Sequence, residues 1–274
     1  MDVTGAPRSQ ADPRRPRPDA RQARRVSPRV KRVVALVVVL LAWEVASRTG
    51  VVDPFYAPPP TEIADVLREL FVTGDIYDHL RATFTAALGG LLIGVVVGGG
   101  LGLAAALVRT ASELLEPVMM ALNAVPRVIL APLFMIWFGI GIGSKVALSF
   151  LLVSVLMFFS VFSGIKQADQ RLVERIRSFG GGTGWLIRDV YWPSVTAWVM
   201  SNLKVAVGFA FTGAVVGEFV AATKGLGYLL AFAQSQFNAP LVFALITLVM
   251  VFVLGLLAVA GRLERRLLRW RTAT

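Results

Sequence analysis

Long apolar runs recur along this chain, and they constrain its fold more than any other feature. Residues 33–43 are uninterrupted by a polar side chain, and further runs occupy about 83–108, 116–138, 144–165, 196–220 and 240–260. Crossing roughly 30 Å of hydrocarbon takes about 20 apolar residues of helix. Backbone amides in lipid must be satisfied within their own segment, so these runs read as helices rather than open sheet. The expectation is an all-α membrane protein of about six transmembrane helices. The third run is interrupted by Pro117, Pro126, Arg127 and Pro132, and a count of five is the alternative. Composition agrees: 56% of residues are hydrophobic and 16% charged, against about 45–50% and about 25% in soluble domains.

The formal charge of +11 is placed for topology rather than for nucleic acid. Ten of the 28 Lys and Arg lie in residues 1–32, five in 166–188 and five in 262–271. Nucleic-acid binding needs a basic stripe on a folded face; here the charges flank apolar spans. With both termini inside, the inner segments hold 21 Lys and Arg and the outer segments 4. The positive-inside rule therefore places both termini in the cytoplasm. There is no cysteine and one histidine, His79, so no thiolate or histidine-rich metal site is expected, and no catalytic or cofactor site.

The predicted organisation follows. Residues 1–32 form a disordered basic cytoplasmic arm, and 33–50 a first transmembrane helix, retained rather than cleaved because Glu44 and Arg48 continue it at i,i+4 spacing. Residues 51–82 form an external segment. In it Pro58, Pro59 and Pro60 are a stop, and Thr61 caps an amphipathic helix whose Ile63, Val66, Leu67, Leu70 and Phe71 share a face. That face packs on the bundle or meets a soluble delivery protein, the first being favoured. Residues 83–260 form the transmembrane core, containing a cytoplasmic loop at 166–195. Residues 261–274 are a basic cytoplasmic tail.

Within the second span Ala82, Ala86, Gly90, Gly94, Gly98, Gly102 and Ala106 recur every fourth residue. Such a face lets another helix approach closely, from this chain or another. In the loop, Asp169 is placed to cap a short helix with Leu172, Val173, Ile176 and Phe179 as its apolar stripe. Gly180-Gly181-Gly182 ends that helix, and a second stretch, 185–192, leads to Pro193. A helix–turn–helix of this kind docks into another protein or lies along the membrane interface; the residues alone leave both open.

Family resemblance decides between them. The loop resembles the signature of permease subunits of bacterial binding-protein-dependent ATP-driven (ABC) importers, with Glu174, Gly180 and Pro193 at the family spacing. Arg175 and Ile176 stand where that pattern has two alanines. The strings PFYAPPPTEIADVL, AVPRVILAPLFMIWFGIGIGSKVAL, AVVGEFVAATKGLGYLL and RLERRLLRW, with Trp43-Glu44, look like the nitrate/sulfonate/taurine type, over about 54–272.

The resemblance implies a type I permease fold in a bacterial inner membrane. It also implies a second copy of the chain, two ATP-binding cassette subunits holding ATP and Mg2+, and an external or lipid-anchored binding protein. Glu174, Arg175, Ile176, Gly180 and Pro193 would then couple the permease to the ATPase. No Walker A sequence occurs: Gly139 to Lys145 lacks the Gly-Lys-Ser/Thr order, so the ATPase is a separate chain. Polar residues in spans mark a pathway, a pair or a docking point. Arg127 faces an anion or sits at an interface, Asn123 and Asn202 line a path or bond between helices, and Glu218 shapes an external gate or makes a structural bond. A secondary transporter is the rival reading, but the expected internal repeat is absent and acidic residues in the span interiors are limited to Glu44 and the marginal Glu218.

Overall fold

The structure, a computed structural model, describes residues 27–167 and 170–267. Every regular element among the described residues is helical. The order is α1 (Pro28–Arg48), α2 (Pro60–Thr73), α3 (Ile76–Leu107), α4 (Arg109–Ala124), α5 (Leu130–Phe138), α6 (Ile142–Lys166), α7 (Gln170–Ser178), α8 (Thr183–Leu186), α9 (Trp192–Val220), α10 (Leu226–Ser235) and α11 (Ala239–Leu267). Among the described residues, four helical stretches are long and apolar enough to cross a membrane: Ile76–Leu107, Ile142–Lys166, Gly184–Val220 and Ala239–Arg262.

The other two predicted spans take different forms. The first is a 21-residue helix with Lys31 and Arg32 near one end and Glu44 and Arg48 near the other. It starts at Pro28, inside the arm that composition marks as disordered; residues 1–26 lie outside the described ones. The third is divided. Pro126 follows the end of α4, a 3-10 turn runs Arg127–Ile129, and Pro132 sits in the first turn of α5. Proline lacks the N–H an inner turn must donate, so the break falls where two prolines cluster.

α6 is the centre of the bundle, with α3 and α9 packed closely on it. Gly90, Gly94, Gly98 and Gly102 are all buried. A Cβ on Gly94 would lie 2.6 Å from the Val153 Cβ, and one on Gly102 2.5 Å from the Phe158 carbonyl oxygen. On the opposite side, a Cβ on Gly213 of α9 would lie 2.6 Å from the Ser149 Cα. The small-residue stripe therefore has its partner in the same chain, and α6 is held between two glycine surfaces. Ser149 Oγ donates to the Ala210 carbonyl at 2.8 Å, satisfying a buried hydroxyl across that contact.

α2 packs on α11, with Ile63 buried and Leu67 and Leu70 against Leu245 and Leu248. Thr61 is not its cap. The helix starts at Pro60, and the Thr61 N–H and hydroxyl both donate to Glu44, at 3.1 and 2.8 Å. Glu44 also pairs with Arg48, so the charges at this end of α1 clamp the start of α2.

Candidate coupling surface and outer clasp

α7 is short, and its apolar residues divide between two faces. Val173 is buried and Ile176 packs with it against Leu186, Val190 and Tyr191, which closes α7 onto α8 and the wide turn Ile187–Tyr191. Leu172 and Phe179 face away and are exposed, Phe179 at 85%. They lie at i and i+7 with Arg175 between them, and Glu174 is exposed alongside. The predicted single stripe is thus half core and half open surface. Asp169, expected to cap α7, lies outside the described residues.

Gly180 is where the chain leaves the helix. Its φ is +77°, the left-handed region that glycine enters without a Cβ penalty. The Gly180 N–H donates to the Arg177 carbonyl and the Gly181 N–H to the Ile176 carbonyl, both at 2.9 Å. Those two bonds form a Schellman ending. A Cβ on Gly180 would meet no heavy atom within 4 Å, whereas one on Gly181 would lie 2.5 Å from Ile176 Cγ2. The requirement at 180 is conformational; the steric one falls at 181. Pro193 lies near the start of α9, directly after the wide turn Ile187–Tyr191 and inside the continuous helical stretch Gly184–Val220, so the N–H it lacks is one that an inner helical turn would donate. Trp185 and Trp192 are both exposed beside it.

At the opposite end of the bundle a polar knot joins three helices. Glu218 is 2% exposed. Its Oε2 accepts from the Thr83 hydroxyl at 2.8 Å and from the Gly227 N–H at 3.0 Å. Thr83 Oγ in turn accepts from the Leu226 N–H at 2.9 Å. His79 Nδ1 accepts from the Gly225 N–H at 3.0 Å, and its ring lies parallel to Tyr228. Asp78 pairs with Lys224 at 2.6 Å. Gly225 adopts φ +125°, and Gly227 lets α10 come against Glu218 and Val215. Lys145 is 4% exposed, donates to the Ile140 carbonyl, and shares with Glu218 the lining of a cavity of about 210 Å³.

The remaining predicted residues are not gathered with Glu218. Asn202 Nδ2 donates to the Trp198 carbonyl of its own helix at 3.0 Å. Asn123 is exposed on the last turn of α4, and Arg127 opens the 3-10 turn that follows. Thr83 and His79 were missed as site residues because nothing local marks them. Their partners lie more than 130 positions away.

A bundle of apolar helices around α6, with an exposed amphipathic helix–turn–helix at one end, is the architecture of a multi-pass membrane protein. Comparison with known proteins makes the family explicit. Residues 79–269 match the family described as binding-protein-dependent transport system inner membrane component, and the chain belongs to it.

Among its relatives are the riboflavin transport system permease protein RibX of Chloroflexus aurantiacus and the formylaminopyrimidine transport permease protein ThiX of Halalkalibacterium halodurans. RibX is 32% identical over 91% of this chain and 97% of its own; ThiX is 32% identical over 86% and 93%. The taurine transport system permease protein TauC of Escherichia coli is 27% identical over 86% of this chain and 87% of its own. A chain of the MetNI methionine ABC transporter in an inward-facing conformation superposes with a TM-score of 0.56 at 20% identity, covering 73% of this chain and 96% of that one. The fold is that of a type I ABC importer permease. The chain is a non-catalytic membrane subunit of an ABC importer, and ATP hydrolysis belongs to a separate subunit of such systems.

Proposed function

We propose that two copies of this chain form the translocation path of an ATP-driven importer in a bacterial inner membrane, with both termini in the cytoplasm. The cytoplasmic loop 166–195 couples the path to two ATP-binding cassette subunits that hold ATP and Mg2+. An external binding protein delivers the solute. The observation that carries the reading is the open face of α7. Leu172, Arg175 and Phe179 point away from the chain's own core, Glu174 stands beside them, and Gly180 fixes the turn. An exposed aromatic flanked by charges on a rigid element is suited to a pocket on a partner. The charge distribution of 21 inner against 4 outer Lys and Arg supports the orientation.

The solute is a small anionic nutrient of the nitrate, sulfonate or taurine kind, in keeping with TauC and the aliphatic sulfonate permeases among the relatives. In this reading Asn123, Arg127, Asn202 and Glu218 belong to the path or its gate. The two 32%-identical relatives favour a second substrate class, a flavin or pyrimidine vitamin precursor.

Extraction of the tagged chain in mild detergent, with ATPase activity measured on the same sample, tests the assembly. A stoichiometric ATPase subunit is the expected result. Recovery of the chain alone across several mild extractions, with uptake driven by an ion gradient, would replace the importer by a secondary transporter. Binding of taurine, nitrate or riboflavin to the co-isolated binding protein separates the substrate classes.

A further inference from the structure

At the end of the bundle that carries the α7–α8 loop, a groove of about 430 Å³ lies between α3 and the helical stretch leading into α9, with Val161 of α6 beneath it. One wall is Val95, Gly99, Leu103 and Leu107, at i, i+4, i+8 and i+12. The other is Ile187, Tyr191, Val195 and Val199, at the same spacing. Each wall is a single helix face, about 18 Å long at 1.5 Å per residue. One leaflet of the hydrocarbon core is about 15 Å deep, half of roughly 30 Å. The groove therefore has the length of one leaflet, with its mouth at Leu107 and Ile187 and its far end at Val95 and Val199. Gly100 widens it: a Cβ there would meet no heavy atom within 4 Å, so its bareness serves no contact within the chain.

The mouth differs in chemistry from the walls. Tyr191 brings a hydroxyl there, and Trp185 and Trp192 are exposed beside it. Amphipathic rings of this kind sit at the level of lipid headgroups. Arg188, next to Ile187, has a side chain 83% exposed and meets Asp189 only at 3.8 Å. Arg109 follows Leu107 by two residues and pairs with Glu113 through Nε at 2.9 Å. A guanidinium carries five N–H donors, so both arginines keep donors for a further anion.

We propose that the groove binds an anionic phospholipid of the cytoplasmic leaflet, with one acyl chain along Gly99, Gly100 and Val195 and the phosphate on Arg188 and Arg109. An acyl chain asks for no hydrogen bond, and the polar groups of the lining, on Tyr191 and Trp192, stand near the mouth. A basic pocket between spans on the cytoplasmic side is the setting in which anionic headgroups bind. Only the choice of leaflet rests on the orientation proposed above.

The full chain, purified in detergent and stripped of lipid, is titrated with phosphatidylglycerol or phosphatidylcholine of equal chain length, and bound lipid is counted by native mass spectrometry. Phosphatidylglycerol is expected to bind roughly tenfold more tightly, and Arg188→Gln to reduce that preference roughly fivefold, the factor one basic residue near a membrane surface contributes. Gly100→Leu, which fills the groove, should weaken both lipids while keeping the parent's melting temperature. Phosphatidylglycerol with a photoreactive group at its chain end should attach at Val95, Val96 or Val199. Equal affinity for the two lipids, or attachment elsewhere that persists in Gly100→Leu, would overturn the site. Oxidative cross-linking of Gly100→Cys to Val38→Cys between two copies, with no lipid attached, would give the groove to the second copy's α1 and overturn it equally. The chain contains no cysteine, so Arg188→Cys reads the leaflet separately. An impermeant maleimide is expected to label it only after spheroplasts are permeabilised; labelling in sealed ones would overturn the cytoplasmic leaflet together with the orientation, whereas the titration judges the lipid site itself.

Discussion

Gly98 of α3 lies directly on the backbone of Ser154 of α6: a Cβ at 98 would fall 2.5 Å from the Ser154 Cα. Backbone cannot rotate away as a side-chain tip can, so the approach of the two helices is set by the absence of that one carbon. Gly98→Leu is expected to destabilise the bundle by about 1–3 kcal/mol or more, the range for overpacking. Gly100→Leu, two residues on with nothing within 4 Å of its Cβ position, should be close to neutral. Thermal unfolding of both variants in detergent checks the contrast, and equal midpoints would refute the proposed contact.

The register of the glycine stripe was legible because a period of four needs no tertiary information. Its partner was not, since nothing within 82–106 says that Ser149, Val153 and Phe158 of α6 lie opposite. The break in the third span was visible for a similar local reason, in Pro126 and Pro132. The knot around Glu218 shows the limit of such reading. The acid and the following glycines stand in one short string, but Thr83 and His79 reach it only through the antiparallel course of α9 relative to α3.

That knot gives a second prediction. Glu218→Ala removes the acceptor for the Gly227 N–H and leaves the Thr83 hydroxyl only the His79 carbonyl of its own helix; the unmatched buried N–H costs about 1–3 kcal/mol. Thr83→Val removes the hydroxyl that bonds both Glu218 and Leu226. The double variant should cost clearly less than the sum of the singles, because both act on one network. Unfolding midpoints of the four proteins measure the coupling, and strict additivity would separate the two residues.

Gly180 gives a third. No neighbour blocks a side chain there, yet φ is +77°, which costs a β-branched residue most and asparagine least among substitutes. Gly180→Val is expected to insert normally and lose uptake or partner binding, while Gly180→Asn retains a substantial part of both. A fall of equal size in the two variants would point to a side-chain effect instead. Unchanged uptake by Gly180→Val at normal expression would remove the turn from the coupling mechanism.

The open face of α7 gives the last. Phe179 contributes nothing to the cluster of Val173, Leu186 and Val190 and is 85% exposed, so its replacement should leave the subunit's own stability unchanged. If the ring fills a pocket on the ATPase, Phe179→Ala loses an interfacial anchor, of the class that costs more than about 2 kcal/mol, or roughly thirtyfold in partner affinity. Val173→Ala acts oppositely, loosening the loop's internal core while leaving the outward face in place. Comparing ATPase recovered per permease with the melting temperature of each variant separates the two effects. A Phe179→Ala protein that keeps its partner in full would shift docking to Glu174 and Arg175 alone. In that case charge reversal at Glu174 should release the ATPase, and recovery should improve as salt is lowered, because attraction between exposed charges is screened over about 8–10 Å at physiological ionic strength.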